Sequence, residues 1–460
     1  MARFPGRPDR DGPVARVGDE PFGANRSPFF LAAGFGYGRG MTGNSSTRLW
    51  HPFAQMGKVK DEQFELTRGE DVWVWDNDGE RYLDATASLW YSNVGHGRES
   101  IRKAVLEQME KLEAYSTFGD FTNPPAEELA RRLSELSPIE DARIFLTSGG
   151  GDSIDTAAKL ARRYWHERGQ DERHHLISRV HGYHGTHGFG TSLAGIPPNR
   201  AAVGGLVEEV SVVSHEDPEE LRAEIDRVGA GKVAAFFLEP VIGAGGVYPP
   251  PDRYIEEVAA ICREREVLLV VDSVICAFGR LGTWYGIERW PGVVPDMITF
   301  AKGVTSGYLP LGGVVTSAAI ASPFWDDADA PPFRHGATYA GHATCCAAAL
   351  ENLRILEEEQ LLPRGQELEA ELFNQMSRVA GSPAVGEVRG GTGLLAAVEI
   401  AAPVMDSDPG APVRLALEMR SRGVLVRPLG RGVAASPPLT VQAEHLEVIG
   451  NALVESVAAL

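Results

Sequence analysis

The sequence is short of cysteine, of long apolar runs and of concentrated positive charge, and each shortage removes a class of protein. Its 460 residues contain four cysteines, Cys262, Cys276, Cys345 and Cys346. Neither their number nor their spacing suits a disulfide framework or a zinc site, so a reducing, cytoplasmic setting is expected. No uninterrupted apolar stretch reaches the roughly 18 residues that a membrane helix needs, and the N-terminus lacks the charged flank and apolar segment of an export signal. No membrane partner is expected. The net charge of -19 repels phosphate backbones, and no cluster of Lys and Arg is dense enough to override it, so nucleic acid is not an expected partner either. There is no internal repeat of the solenoid type.

What is present is an ordinary globular composition, 43% hydrophobic and 23% charged, long enough to bury a large core in two or three domains. Residues 1–45 are rich in Gly, Pro and Arg without a period and are expected to be a disordered leader, Met41 being a possible alternative start. "DVWVWDNDGERYLDA" alternates on both sides of Asp78-Gly79, which predicts a hairpin. Strand and helix then alternate. "ARIFLT", "HHLISR", "KVAAFFLEP", "VLLVVD", "MITFAK" and "GGVVTS" are short β-forming runs with helical patterns between most of them, which predicts a mainly parallel sheet wrapped by helices. From about residue 345, two long helical patterns lead to "GTGLLAAVEI", "GVLVRPLG" and a last helix, a smaller α+β unit.

In open α/β sheets ligands collect at the carboxyl ends of the strands. Two residues there are out of keeping with their surroundings: Asp272 closes "VLLVVD", and Lys302 follows "MITFA". Singly, the Asp reads as a helix cap and the Lys as a surface residue. Together they suggest more, because a lysine in low-dielectric surroundings loses its charge and becomes a nucleophile, and a carboxylate beside it can hold a proton on a heterocyclic nitrogen, as a pyridine cofactor requires. The turn "LTSGGGDSIDTAAK" adds Gly149, Gly150 and Gly151 between a strand and a helix, where backbone N–H groups and the helix N-terminus can cradle a phosphate. It fits neither the dinucleotide nor the ATP-binding pattern. In "VHGYHGTHG", the glycines at 182, 185 and 188 break any helix that would aim His181, His184 and His187 together, so no metal is expected. Tyr183 reads better as an aromatic plate able to stack on a planar ring.

These motifs, above all "LVVDSVICAFGRLGTWYGIERWPGVVPDMITFAKGVTSGYLPLGG", resemble the class III aminotransferases, and the likeness runs from about Leu49, "RLWHPFAQM", to the C-terminus. The resemblance implies an α/β protein of fold type I among pyridoxal-phosphate-dependent transferases, aspartate aminotransferase-like. It divides the chain into the leader, an N-terminal part of the small domain at 46–95, a large coenzyme-binding domain at 96–344 and a C-terminal small domain at 345–460. It implies Lys302 as the Schiff-base lysine and proton shuttle, Asp272 as the partner of the pyridine nitrogen, Gly149, Gly150 and Gly151 as the phosphate turn, and Tyr183 and Val274 against the two faces of the ring. Glu239 of "FFLEPVIGAGGV" matches an acid near the coenzyme. Thr338 of "HGATYAGHA" resembles a threonine that reaches the phosphate of a neighbouring subunit's coenzyme, implying an obligate homodimer or a dimer-based tetramer. Trp90 matches an aromatic that lines the substrate pocket, and Arg427 an arginine that grips a substrate carboxylate.

The chain departs from the family in having Ser273, Ala277 and Leu281 where Glu, Gly and Thr are common, Ala343 where a proline is usual, and "GGGDSI" where Ser-Gly-Ser-Glu-Ala-Asn is usual. Gly151 in place of a serine loses one hydroxyl contact to phosphate. The implied activity is a ping-pong transfer of an amino group from an amine or omega-amino acid donor to a keto-acid acceptor such as pyruvate. Alternatives on the same scaffold are an adenosylmethionine-8-amino-7-oxononanoate transaminase and an aminomutase or racemase; a catalytically silent binding protein is a third.

Overall fold

The computed structural model describes residues 47–460; the expected leader lies outside the described residues. Three sheets organise the chain. The first holds β1 (Leu66–Glu70), β2 (Trp73–Asp76) and β3 (Arg81–Asp84). β2 and β3 form the expected hairpin, with Trp73 opposite Leu83. Its turn is longer than the Asp-Gly pair suggests. Asp76 donates its N–H to the Glu80 carbonyl, and its Oδ1 accepts the N–H groups of Asp78 (3.0 Å) and Glu80 (2.9 Å), so a carboxylate, with Gly79 at φ +84, shapes a four-residue loop.

The central sheet contains β4 (Arg143–Thr147), β5 (His175–Arg179), β6 (Val210–Val213), β7 (Val233–Leu238), β8 (Leu268–Asp272), β9 (Met297–Phe300) and β10 (Gly312–Thr316). Their order is β4-β10-β9-β8-β7-β5-β6, with every pairing parallel except those of β10, which runs antiparallel to both neighbours. Unbroken apolar runs are required because both faces are covered. Ala235, Phe237 and Val270 join Ile154, Ala158 and Trp165 of the helix Gly150–Glu167 on one side, while Phe236, Leu238, Val271 and Ile298 enter the larger core on the other. Full burial of a Phe contributes about 1.5–3 kcal/mol, so the middle strands form a rigid floor. Counting by twos from Val270 puts Asp272 on the side of the helix Gly150–Glu167.

The third sheet holds β11 (Val385–Arg389), β12 (Ala396–Ile400), β14 (Arg427–Leu429) and β15 (Gly432–Ala435), in the order β11-β12-β15-β14. β13 (Val424–Leu425) instead pairs in parallel with β3, Val424 opposite Leu83. The run "GVLVRPLG" therefore changes sheets at Val426, and the first residue after the change is Arg427. Buried Arg280 ties the three parts together. Its guanidinium donates to the carbonyls of Leu394 (2.9 Å) and Pro437 (2.7 Å) and to Asn93 Oδ1 (3.0 Å). Among the described residues no helix is long and apolar enough to cross a membrane.

Candidate active site

The carboxyl ends of β8 and β9 bring Asp272 and Lys302 to one place. Asp272 is buried, and its carboxylate is fixed by three donors: Val274 N–H (3.1 Å) and Thr299 hydroxyl (3.2 Å) on Oδ1, and the His184 ring through Nδ1 (2.8 Å) on Oδ2. A carboxylate offers about four acceptor positions, so one further donor can be accommodated. Lys302 follows β9 in the left-handed region at φ +48, a conformation that costs a non-glycine residue about 1 kcal/mol or more and is retained where the surroundings impose it. Burial lowers its pKa, and the negative charges of Asp272 and Glu239 only partly oppose this.

Glu239, one residue beyond β7, is buried and accepts the N–H groups of Tyr183 (2.9 Å) and Gly243 (3.0 Å), so it holds the loop carrying Tyr183. Burial raises its pKa. Tyr183 is part-buried, with its phenol pKa also raised by burial and subject to the charges of Arg427, Asp272 and Glu239. The glycine turn lies close by. A Cβ on Gly150 would come within 2.9 Å of Val274 Cγ1 and 3.7 Å of Ala301 Cβ, so only glycine lets the turn approach the strand ends this closely.

The Arg427 guanidinium lies 5.3 Å from the centre of the Trp90 ring. Trp90 Nε1 and Arg427 Nε are buried with no hydrogen-bond partner among the described residues. Burial lowers the Arg427 pKa, as expected of a cation held without an anion. Trp90 ends a strained turn in which Ala87, Ser88 and Trp90 all have positive φ (+44, +59 and +58). Asp84 stabilises this turn by accepting the N–H groups of Thr86 (3.1 Å) and Ser88 (2.8 Å).

Asp272, Lys302, Glu239, Tyr183, Val274, Gly150 and Arg427 thus share one site, with Trp90 behind Arg427. Gly149 and Gly151 flank Gly150 in the same turn. Thr338 is exposed on the surface. The three histidines part company: His181 stacks on Tyr248 (4.6 Å), His184 binds Asp272, and His187 stands beside Asp152. His184 is the residue that sequence reasoning missed. Its adjacency to Tyr183 was the only signal available.

The residues fit pyridoxal phosphate: an amine whose pKa burial lowers, a fixed carboxylate with room for an N–H, an aromatic plate and a glycine cradle. The family model described as Aminotransferase class-III matches residues 56–457. The putrescine–pyruvate aminotransferase of Pseudomonas aeruginosa is 34% identical over 436 residues, covering 88% of this chain and 94% of that protein. Among solved structures, a thermostable (S)-enantioselective omega-transaminase from Thermomicrobium roseum superposes with a TM-score of 0.85 at 38% identity, covering 89% of this chain and 96% of its own. An amine transaminase from an uncultivated Pseudomonas species, in its PLP-bound form, superposes with a TM-score of 0.86 at 34% identity, covering 91% of this chain and 100% of its own.

Proposed function

The chain belongs to the class-III aminotransferase family, and from that premise we propose that it moves an amino group from an amine or omega-amino acid to pyruvate or a similar keto acid. The observation that carries this reading is the placement of Lys302 just past the end of β9, beside the strand that ends in buried Asp272, together with Arg427, a cation with no ion-pair partner among the described residues. Pyridoxal phosphate would supply the electron sink that protein side chains lack. Lys302 would take the proton from the carbon bearing the donor's nitrogen and, in the second half-reaction, give a proton to the acceptor carbon that receives the nitrogen. With the coenzyme bound, Asp272 would hold the proton on its ring nitrogen, and Tyr183 and Val274 would lie against the ring. Trp90 closes the pocket, and Arg427 binds the acceptor's carboxylate through two parallel hydrogen bonds.

Pyruvate as acceptor is supported by the name of the Pseudomonas aeruginosa relative. The test is a panel of amines in the first half-reaction, followed by keto acids in the second. Use of S-adenosylmethionine without turnover of diamines or β-alanine would favour the oxononanoate reaction instead. Replacing Arg427 with Leu should raise KM for pyruvate roughly 100-fold, from the loss of about 3 kcal/mol of charge-assisted hydrogen bonding. The half-reaction with an uncharged-tail amine should change little. Equal losses in both half-reactions would refute the carboxylate role.

The working unit is a homodimer in which Thr338 of each protomer reaches the phosphate end of the other. Its exposure supports this, as does the surrounding aromatic surface: Tyr339 is 68% exposed, and Tyr115, Phe118 and Phe121 are each more than half exposed. A fully active monomer in sedimentation at assay concentration would refute it.

A further inference from the structure

The phosphate turn lacks the hydroxyl side chain that the family carries at residue 151, yet the space beside Gly151 is filled. A Cβ on Gly151 would meet Cε1, Nδ1 and Nε2 of His187 at 3.1, 3.2 and 3.2 Å, so the nitrogen-bearing edge of the imidazole presses tightly against the point where a serine side chain would begin. Its position is set by several contacts. Gly185, at φ +87, lies so near that its own Cβ would be 3.1 Å from Gly151 Cα. Asp155 Oδ1 accepts the N–H groups of Phe189 (3.0 Å) and Gly190 (3.2 Å), fastening the loop to the helix Gly150–Glu167. His187 Nδ1 lies 3.4 Å from Asp152 Oδ1, and the side chain remains about half exposed.

We infer that His187 is a contact to the coenzyme's phosphate, taking over from its own loop the hydrogen bond that a hydroxyl at residue 151 would otherwise make. A phosphate monoester presents three acceptor oxygens. The first N–H groups of the helix have no partners within it and point the same way, and the imidazole adds a side-chain donor to that set. The inference rests on the coenzyme reading above.

The test compares affinity for pyridoxal phosphate with affinity for pyridoxal, which lacks the phosphate, by titrating coenzyme-free protein and following the yellow form. His187→Ala should raise the dissociation constant for pyridoxal phosphate about tenfold and leave that for pyridoxal unchanged. Adding Gly151→Ser to His187→Ala should restore most of the lost affinity, because the vacated space then accepts the hydroxyl. In the wild-type background Gly151→Ser should give no gain, since the imidazole obstructs it. An unchanged ratio of the two affinities in His187→Ala would overturn the inference while leaving the coenzyme reading standing. A wild type that forms no borohydride-reducible adduct with either compound would overturn both.

Discussion

Replacing Lys302 with Ala is expected to lower turnover by at least about 10⁴-fold while leaving the fold intact, because the residue combines covalent attachment with proton transfer. The loss should be as deep in a single half-reaction, followed by the disappearance of the yellow form, as in the full cycle. Stability should not suffer. The amine's lowered pKa means that enclosure disfavours its charge, and Ala removes that penalty at the same left-handed backbone position. The same shift fixes a pH dependence. The neutral amine is the reactive form, so raising the pH increases the rate at which coenzyme-free protein captures an aldehyde. With a pKa below the ordinary lysine value of 10.5, the rise levels off below that pH. A capture rate that continued to titrate through 10.5 would refute the lowered pKa, and a Lys302→Ala protein retaining a few per cent of turnover would remove Lys302 from the chemistry.

Asp272 and Lys302 were legible in the sequence as a pair: either charge alone at the end of a run such as "VLLVVD" could be a cap or a surface residue, but an acid and an amine at two strand ends of a buried sheet suggest a shared partner. The middle strands were legible for the related reason that a sheet covered on both faces needs unbroken apolar runs. Less of the site was readable where long-range pairing decides the outcome. "GVLVRPLG" has the composition of one strand, yet Leu425 and Arg427 belong to different sheets, because the N-terminal hairpin offers β3 as a partner and the local sequence does not record that. His184 has no periodic signature; its role follows from the distance to a carboxylate 88 residues away. The left-handed turn at Ala87–Trp90 contains no glycine, so the usual marker of positive φ is missing, and the Asp84 carboxylate does the stabilising.

Substituting Asp272 separates the electronic role of that carboxylate from its structural one. Asp272→Asn keeps the size and one acceptor oxygen, which can still receive Val274 N–H and the Thr299 hydroxyl; the new amide then faces the ring nitrogen of His184, which can accept from it in one neutral tautomer. That tautomer puts a hydrogen on His184 Nε2, which is buried with no partner among the described residues, so the protein should fold but melt somewhat below the wild type. The negative charge is gone, however, and with it the means of keeping a proton on the ring nitrogen. Turnover should fall about 10³-fold, equivalent to about 4 kcal/mol of transition-state stabilisation. Asp272→Ala removes all the acceptors and leaves the buried His184 and Thr299 donors unpaired, at about 1–3 kcal/mol each, along with the part-buried Val274 N–H, so its melting temperature should fall well below that of the Asn variant. A Mechanism in which Asp272 serves only to brace His184 and Thr299 predicts the opposite ordering of effects: Asn nearly as active as Asp, with losses in activity tracking losses in stability. Measuring thermal unfolding and half-reaction rates on the same two variants distinguishes these, and an Asn variant within tenfold of wild-type turnover would sink the electronic role.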